Sequence, residues 1–204
     1  LFNDGRIKFV DETCETTFDE KGRALISHGT VQDVTERELA QKKINLYASV
    51  FRHSAEAIMI TDHDNRIVAI NPALAKLTGY TIDESIGKNP KIISSDLTPK
   101  STYKEMWNAL NSTGFWYGEL IDKRKNGETY PKRATISVVL NDKGKVINYI
   151  ASFSDITESK EAEEHIFRLA HHDVLTGLFN RLSLEDRMGQ AILQAKRDNS
   201  KLAV

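Results

Sequence analysis

Cysteine is nearly missing from this chain: Cys14 is the only one among 204 residues. Intrachain disulfides are therefore impossible, and a reducing cytoplasm is the expected setting. Long apolar runs are missing too. None approaches the roughly 20 residues that a bilayer-spanning helix needs, although a longer parent chain could carry membrane helices upstream. Neither sign of charge dominates, since 28 Lys and Arg face 29 Asp and Glu for a formal net charge of -1. That balance gives no electrostatic reason to expect nucleic acid or an anionic membrane as partner. Histidine is absent from the whole span between Asp64 and Glu164. The start, Leu1-Phe2-Asn3, is neither an initiator Met nor a signal peptide and reads as a cut. What remains is an ordinary globular composition, 40% hydrophobic and 28% charged, long enough for one full domain with flanking pieces.

A repeat organises those pieces. At an offset of 122 residues, Phe18-Asp19-Glu20-Lys21-Gly22-Arg23 aligns with Leu140-Asn141-Asp142-Lys143-Gly144-Lys145, and Asp33-Val34-Thr35-Glu36 aligns with Asp155-Ile156-Thr157-Glu158. Residues 1–35 thus read as the last strands of one unit and residues 46–157 as a complete second copy. In both copies an acid stands three residues before a glutamate, the arrangement in which a side-chain oxygen accepts the free N–H groups of a helix start. The helices expected to follow, over 36–51 and 155–172, carry apolar residues at 4-3 spacing: Ala40, Ile44, Tyr47 and Phe51, then Ala162, Ile166 and Leu169. Such a stripe suits a short parallel coiled coil that dimerises the chain. A helix packed on its own domain is the other reading.

Inside the complete copy, Ala57–Thr61 and Arg66–Ile70 are β-branched runs joined by Asp62-His63-Asp64-Asn65, a predicted hairpin. Asn71-Pro72 is expected to open a short helix that runs to Gly79. Thr98-Pro99 is expected to open a longer one, with Tyr103, Trp107 and Leu110 on one face and Gly114 at its end. Three longer strands follow, with turns at Asn126-Gly127 and at Asn141–Gly144. The predicted class is α+β: a five-stranded antiparallel sheet with short helices on one side, flanked by linker helices.

This order, with N-P-A-L-A-K-L-T-G-Y at 71–80 and the repeated Asp-x-Thr-Glu exit, resembles the PAS sensory fold. The resemblance implies a complete PAS domain over 46–157, the C-terminal (PAC) half of a preceding PAS domain over 1–35, and a signalling helix over 155–172. Signal transmission then falls to Asp155, Thr157, Glu158, Ala162, Ile166 and Leu169. The segment Gly87-Lys88-Asn89-Pro90, with Tyr103, Trp107, Trp116-x-Gly118 and Arg124-Lys125, is similar to flavin-binding PAS domains of redox regulators of nitrogen fixation and methane oxidation. That likeness implies FAD as cofactor, with Asn89, Trp107, Trp116 and Asp122 as contacts. In those relatives an asparagine stands where this chain has Asp122. An amide donates and accepts, whereas a carboxylate only accepts. Two alternatives stay open: another small molecule, or a core filled by its own side chains, with each Trp burying on the order of 200 Å². The histidine-free span argues against haem held by a proximal histidine, and the position of Cys14 argues against cysteinyl-flavin photochemistry.

Asp173-Val174-Leu175-Thr176-Gly177-Leu178-Phe179-Asn180-Arg181 fits D-x-L-T-x-L-x-N-R, which resembles the opening segment of the GGDEF family of bacterial diguanylate cyclases. The resemblance implies that residues 173–204 are the truncated start of such a domain, with Asp173 and Arg181 paired to brace the turn beside Thr176 and Asn180. It also implies that the chain stops about where the first catalytic strand begins. The nucleotide-binding loop, the metal-binding aspartates and the signature itself lie beyond Val204, so no catalysis is expected here. In the parent, a dimer of such domains would join two GTP molecules into cyclic di-GMP. The other readings are a PAS dimerisation module without sensing and the input region of a histidine kinase. Val174–Gly177 does not supply the residues that a phosphoacceptor box needs after His172. Adjacent His171 and His172 do not share a helix face, so no metal site is expected.

Overall fold

A computed structural model of the chain describes residues 7–198. The N-terminal part is a hairpin, β1 (Val10–Phe18) and β2 (Ala24–Asp33), followed by helix α1 (Thr35–His53). Every residue of β2 is exposed, and α1 buries none of its own.

The second part is the predicted five-stranded antiparallel sheet. Its strands are β3 (Ala57–Asp62), β4 (Ile67–Ile70), β5 (Phe115–Lys123), β6 (Thr129–Leu140) and β7 (Val146–Asp155), in the order β4-β3-β7-β6-β5. Between β4 and β5 run α2 (Pro72–Thr78), α3 (Ile82–Ser85), a 3₁₀ turn (Pro90–Ile93) and α4 (Lys100–Thr113). Alternation along the strands sends one set of residues to a buried face. Ala57, Met59, Leu120, Ala134, Ala151 and Phe153 there meet Leu74, Met106 and Leu110 from the helices.

Polar side chains fix how the helices sit. Asn71, fully buried, accepts from Leu74 N at 3.0 Å to cap α2 and from Ile58 N at 2.9 Å, and donates to Glu56 O at 2.8 Å. Thr98 does not cap α4. Its hydroxyl instead accepts from Ile121 N at 2.8 Å and donates to Ile121 O at 3.1 Å, latching the approach to α4 onto β5. Two further helices end the described residues, α5 (Thr157–His171) and α6 (Arg181–Arg197).

The repeat seen in the sequence is carried by individual bonds. Asp19 Oδ1 accepts from Lys21 N and Arg23 N, and Asn141 Oδ1 accepts from Lys143 N and Lys145 N. Val34 N donates to Phe9 O as Ile156 N does to Pro131 O. Asp33 and Asp155 stand one residue outside the expected cap position, where each accepts from the first helical N–H, that of Thr35 or Thr157. The residues at the caps, Val34 and Ile156, have no side-chain oxygen to offer.

Candidate functional site

Between the sheet and the 3₁₀ turn with α4 lies a cavity of about 580 Å³, within the size range of small-molecule sites. The core is therefore not filled completely by its own side chains. The sheet contributes Met59, Thr61, Leu120, Ile136, Ala151 and Phe153 to its walls, and the helical side contributes Ile93, Tyr103, Met106, Trp107 and Leu110. Trp107 stands edge-on to Tyr149, another wall residue, at 5.6 Å and 89°.

A charged pair is set into this apolar lining. Asp122 on β5 and Lys132 on β6 point to the buried face, with side chains 2% and 5% exposed, and Lys132 Nζ lies 2.5 Å from Asp122 Oδ2. Burial pushes the Asp122 carboxyl up, with the nearby ammonium opposing. Burial likewise pushes Lys132 down, against the pull of the carboxylate. The ammonium also sits 3.7 Å from the centre of the Phe153 ring, a favourable cation–π placement. Thr61 Oγ1, also in the lining, is buried without a hydrogen-bond partner. Tyr103 Oη makes no well-formed hydrogen bond. Burial raises its pKa, and the Thr98 hydroxyl only partly offsets that rise.

Of the four residues singled out as contacts, Asn89, Trp107 and Asp122 line the cavity and Trp116 does not. The Trp116 ring is folded back over Gly118, where a Cβ would come within 2.4 Å of it, so it belongs to the packed core. Asn89 lies at the mouth with its amide already committed. It accepts from Lys91 N at 3.1 Å, capping the 3₁₀ turn, and donates to Asn65 O at 3.2 Å. Lys132 and Thr61 were not singled out. A lysine at the inward parity shared by Tyr130, Ala134 and Ile136 is the signal that could have pointed to Lys132.

The sheet joins this cavity to α5. Lys132 is paired across the ladder with Asp155, the last residue of β7. The Asp155 carboxylate accepts from Thr157 N at 2.9 Å and Thr157 Oγ1 at 2.6 Å, and lies 2.6 Å from Arg124. Arg124 in turn donates to Leu77 O at the end of α2 at 2.6 Å. Burial raises the Asp155 pKa, but the Thr157 bonds and Arg124 outweigh it and hold the carboxyl below its ordinary value. On the outer face, Glu119 takes Lys160 of α5 at 2.9 Å and Arg133 at 3.1 Å. Glu158, Ala162, Ile166 and Leu169 are exposed.

The Asp173–Arg181 segment forms a turn between α5 and α6. Asp173 Oδ1 accepts from Thr176 N and Thr176 Oγ1, at 2.9 and 2.8 Å, and Asn180 caps α6 by accepting from Ser183 N at 3.0 Å. Asp173 and Arg181 do not pair. Arg181 reaches along its own helix to Glu185 at 2.8 Å, while the turn itself occupies the Asp173 carboxylate.

The sequence profile described as the PAS domain matches residues 55–158. The nitrogen fixation regulatory protein of Klebsiella oxytoca is 34% identical over 151 residues, covering 74% of this chain and 30% of that protein. The blue-light-activated histidine kinase of Rhizobium johnstonii is 27% identical over 146 residues, covering 68% of this chain and 42% of the kinase. The chain thus spans less than half the length of either relative. Among solved structures, the PAS domain of a Colwellia psychrerythraea protein shares 21% identity at a TM-score of 0.54, covering 57% of this chain and 98% of that one. An RNA-binding light-oxygen-voltage receptor shares 20% at 0.57, covering 81% and 44%. The chain belongs to the PAS domain family, and its five-stranded unit is a PAS sensory domain.

Proposed function

We propose that this chain is a sensing and transmitting region. A small molecule in the cavity sets the state of strands β6 and β7, and α5 passes that state to a C-terminal output domain. The observation that carries this reading is Lys132. Its side chain lies in the cavity wall, while its backbone is paired with Asp155, whose carboxylate holds the first turn of α5. A ligand that moves Lys132 therefore acts two residues from the start of that helix. In this reading residues 1–35 are the C-terminal half of a preceding PAS domain, 36–51 a linker helix, 46–157 the sensor, 155–172 the signalling helix and 173–204 the start of the output domain. The exposed stripes on α1 and α5 supply the surface for a cytoplasmic homodimer.

The ligand proposed is a flavin, FAD in the first instance. An amide's two functions are divided here between Asp122, which accepts, and Lys132, which donates, so the residue set fits the edge of a flavin ring despite the absent asparagine. The relatives named as a blue-light-activated kinase and a light-oxygen-voltage receptor lend support. No cysteine lines the cavity, so the ring would be held without a covalent bond to the protein. Bound flavin would supply visible absorption and a redox state that changes its charge. The protein purified with added FAD is expected to show flavin bands and a raised melting temperature. Neither bands nor shift would remove the flavin.

The output proposed is a diguanylate cyclase, supported by the Asp173–Arg181 pattern and by the capped turn that it forms. A histidine kinase is the second reading, favoured by the blue-light-activated kinase among the relatives. The coding sequence past Val204 discriminates: a strand bearing an aspartate followed by a G-G-[DE]-E-F hairpin marks a cyclase. Inserting three or four residues near Glu163 in the parent is expected to change its output, because the helix register turns with it. Unchanged output would count against transmission through α5.

A further inference from the structure

Helix α1 carries more apolar surface than a coiled-coil seam uses. The seam stripe is Ala40, Ile44, Tyr47 and Phe51, yet Leu39, Leu46 and Val50 are also apolar, and each is more than half exposed. Projected at about 100° per residue, the two sets join into one arc of about 160°, whereas a strict seam is narrow. A sister helix on the seam therefore leaves Leu39, Leu46 and Val50 in water. Between Leu39 and Phe51 the only charge within the arc is Lys43. Its ammonium stands 6.0 Å from the centre of the Tyr47 ring, on a stem long enough to reach the rim.

The face of the sheet turned away from the cavity is the counterpart. The ladder register sets Ala69, Ile60, Ile150, Ser137 and Phe115 in one row across all five strands. The next row is Ile58, Ser152, Thr135 and Tyr117, and both rows stand at outward parity. None of these residues is charged, although the outward face of an antiparallel sheet is ordinarily polar. Phe115, Tyr117 and Ile150 are 40–58% exposed. Charge begins one row further on, where Arg133 pairs with Glu119. We infer that this outer face seats the Leu39–Leu46–Val50 side of α1 from a second copy of the chain. The inference rests on the homodimer reading and goes further, giving α1 a partner surface besides its own twin. The chain's own α1 reaches β3 through residues 54–56 alone, and that short link holds it beside α2. Two such contacts, exchanged about a twofold axis, bury on the order of 1,400 Å², against roughly 1,200–2,000 Å² for a stable protein interface. A helix laid on a sheet is the ordinary layer in which two such apolar surfaces satisfy each other.

Sedimentation equilibrium of the chain and its variants makes the test. Leu46→Glu and Tyr117→Lys both change exposed side chains. Each is expected to weaken self-association at least about tenfold, which corresponds to about 1.4 kcal/mol. Asn45→Glu, on the opposite side of α1, is expected to leave it within about twofold. Mixed together, Leu46→Glu chains and Tyr117→Lys chains are expected to pair with each other more tightly than either pairs with itself. The mixed dimer keeps one unaltered contact and sets Glu against Lys in the other. Rescue on mixing also shows that both variants fold. Dimers that survive Tyr117→Lys unchanged would overturn the assignment and leave a homodimer held by the helix seam. Weakening by Tyr117→Lys with Leu46→Glu silent would mean sheet against sheet, and would remove α1 from the seat. Two weakened variants that do not rescue each other would overturn the exchange between copies. Should the unaltered chain stay monomeric throughout, the homodimer reading fails, and this one with it.

Discussion

The chain contains one local design twice, with opposite burial. The β1–β2 hairpin and the β6–β7 hairpin share the same Asx-bracketed turn, the same backbone bond at their exit and the same aspartate on the first helical N–H. Yet β2 is exposed throughout, whereas β7 places Ala151 and Phe153 in the core and lies between β3 and β6. Local sequence is thus sufficient for the turn and the helix start, and burial depends on what the rest of the sheet provides. Only the second hairpin has strands on its far side and helices across its face. An isolated two-stranded hairpin is marginal in water, so the first contributes its turns to the molecule without contributing a core.

The largest predicted effect follows from Phe153 and its counterpart Val31, 122 residues earlier. Phe153 is 4% exposed and Val31 is 65% exposed. Phe153→Ala should cost about 3–5 kcal/mol through lost burial and an enlarged cavity. Val31→Ala should stay within about 0.5 kcal/mol. Urea melts of the two variants check this, and similar losses in both would mean that the first hairpin has a buried partner in solution.

Much of this was legible in the sequence, for reasons particular residues make plain. Asn71-Pro72, Gly79, Asn126-Gly127 and the paired Asp-x-Thr-Glu exits are local signals; the first three sit at the turns and helix ends expected of them, and the exit aspartates fall one residue before the cap position expected of them. Contacts that depend on register were not legible. Asp122 and Lys132 are ten residues apart and meet because the turn between β5 and β6 sets Asp122 opposite Tyr130, with Lys132 on the same face. Trp116 looks like a cavity residue until Gly118 is seen to leave room for its ring to fold back. Arg181 had two carboxylates in reach by sequence, and helical spacing favoured Glu185 over Asp173.

A smaller effect separates Asp155 from Asp33. Asp155 lies in a partly buried set with Arg124 and Thr157, and its carboxyl is held below the ordinary value near 3.8. A carboxyl lowered by folding adds stability above its unfolded pKa and loses it as pH falls through the folded value. Asp155→Asn should therefore cost about 1–2 kcal/mol at neutral pH. It should also flatten the loss of stability on acidification below about pH 4, read from melting temperatures across pH. Asp33, nearly half exposed in its pair with Lys8, should leave the main melting transition unmoved when changed to Asn. A fall in that transition with Asp33→Asn would mean that the two exits support one cooperative unit.

The smallest effect isolates the comparison most sharply, because the local cost is the same on both sides. Gly22 and Gly144 occupy equivalent turn positions at φ +75° and +72°, and a Cβ would meet no atom within 4 Å at either. Steric clash is therefore removed from the argument, and what remains is the left-handed backbone, which disfavours alanine by roughly 1 kcal/mol. Gly144→Ala transmits that cost to the five-stranded sheet and should lower its melting temperature by roughly 4 °C or more. Gly22→Ala carries the same cost in a hairpin that shares no strand pairing with the sheet. It should leave the main transition in place and speed amide exchange only across β1 and β2. Equal shifts in melting temperature would show that the exposed hairpin folds together with the sensor.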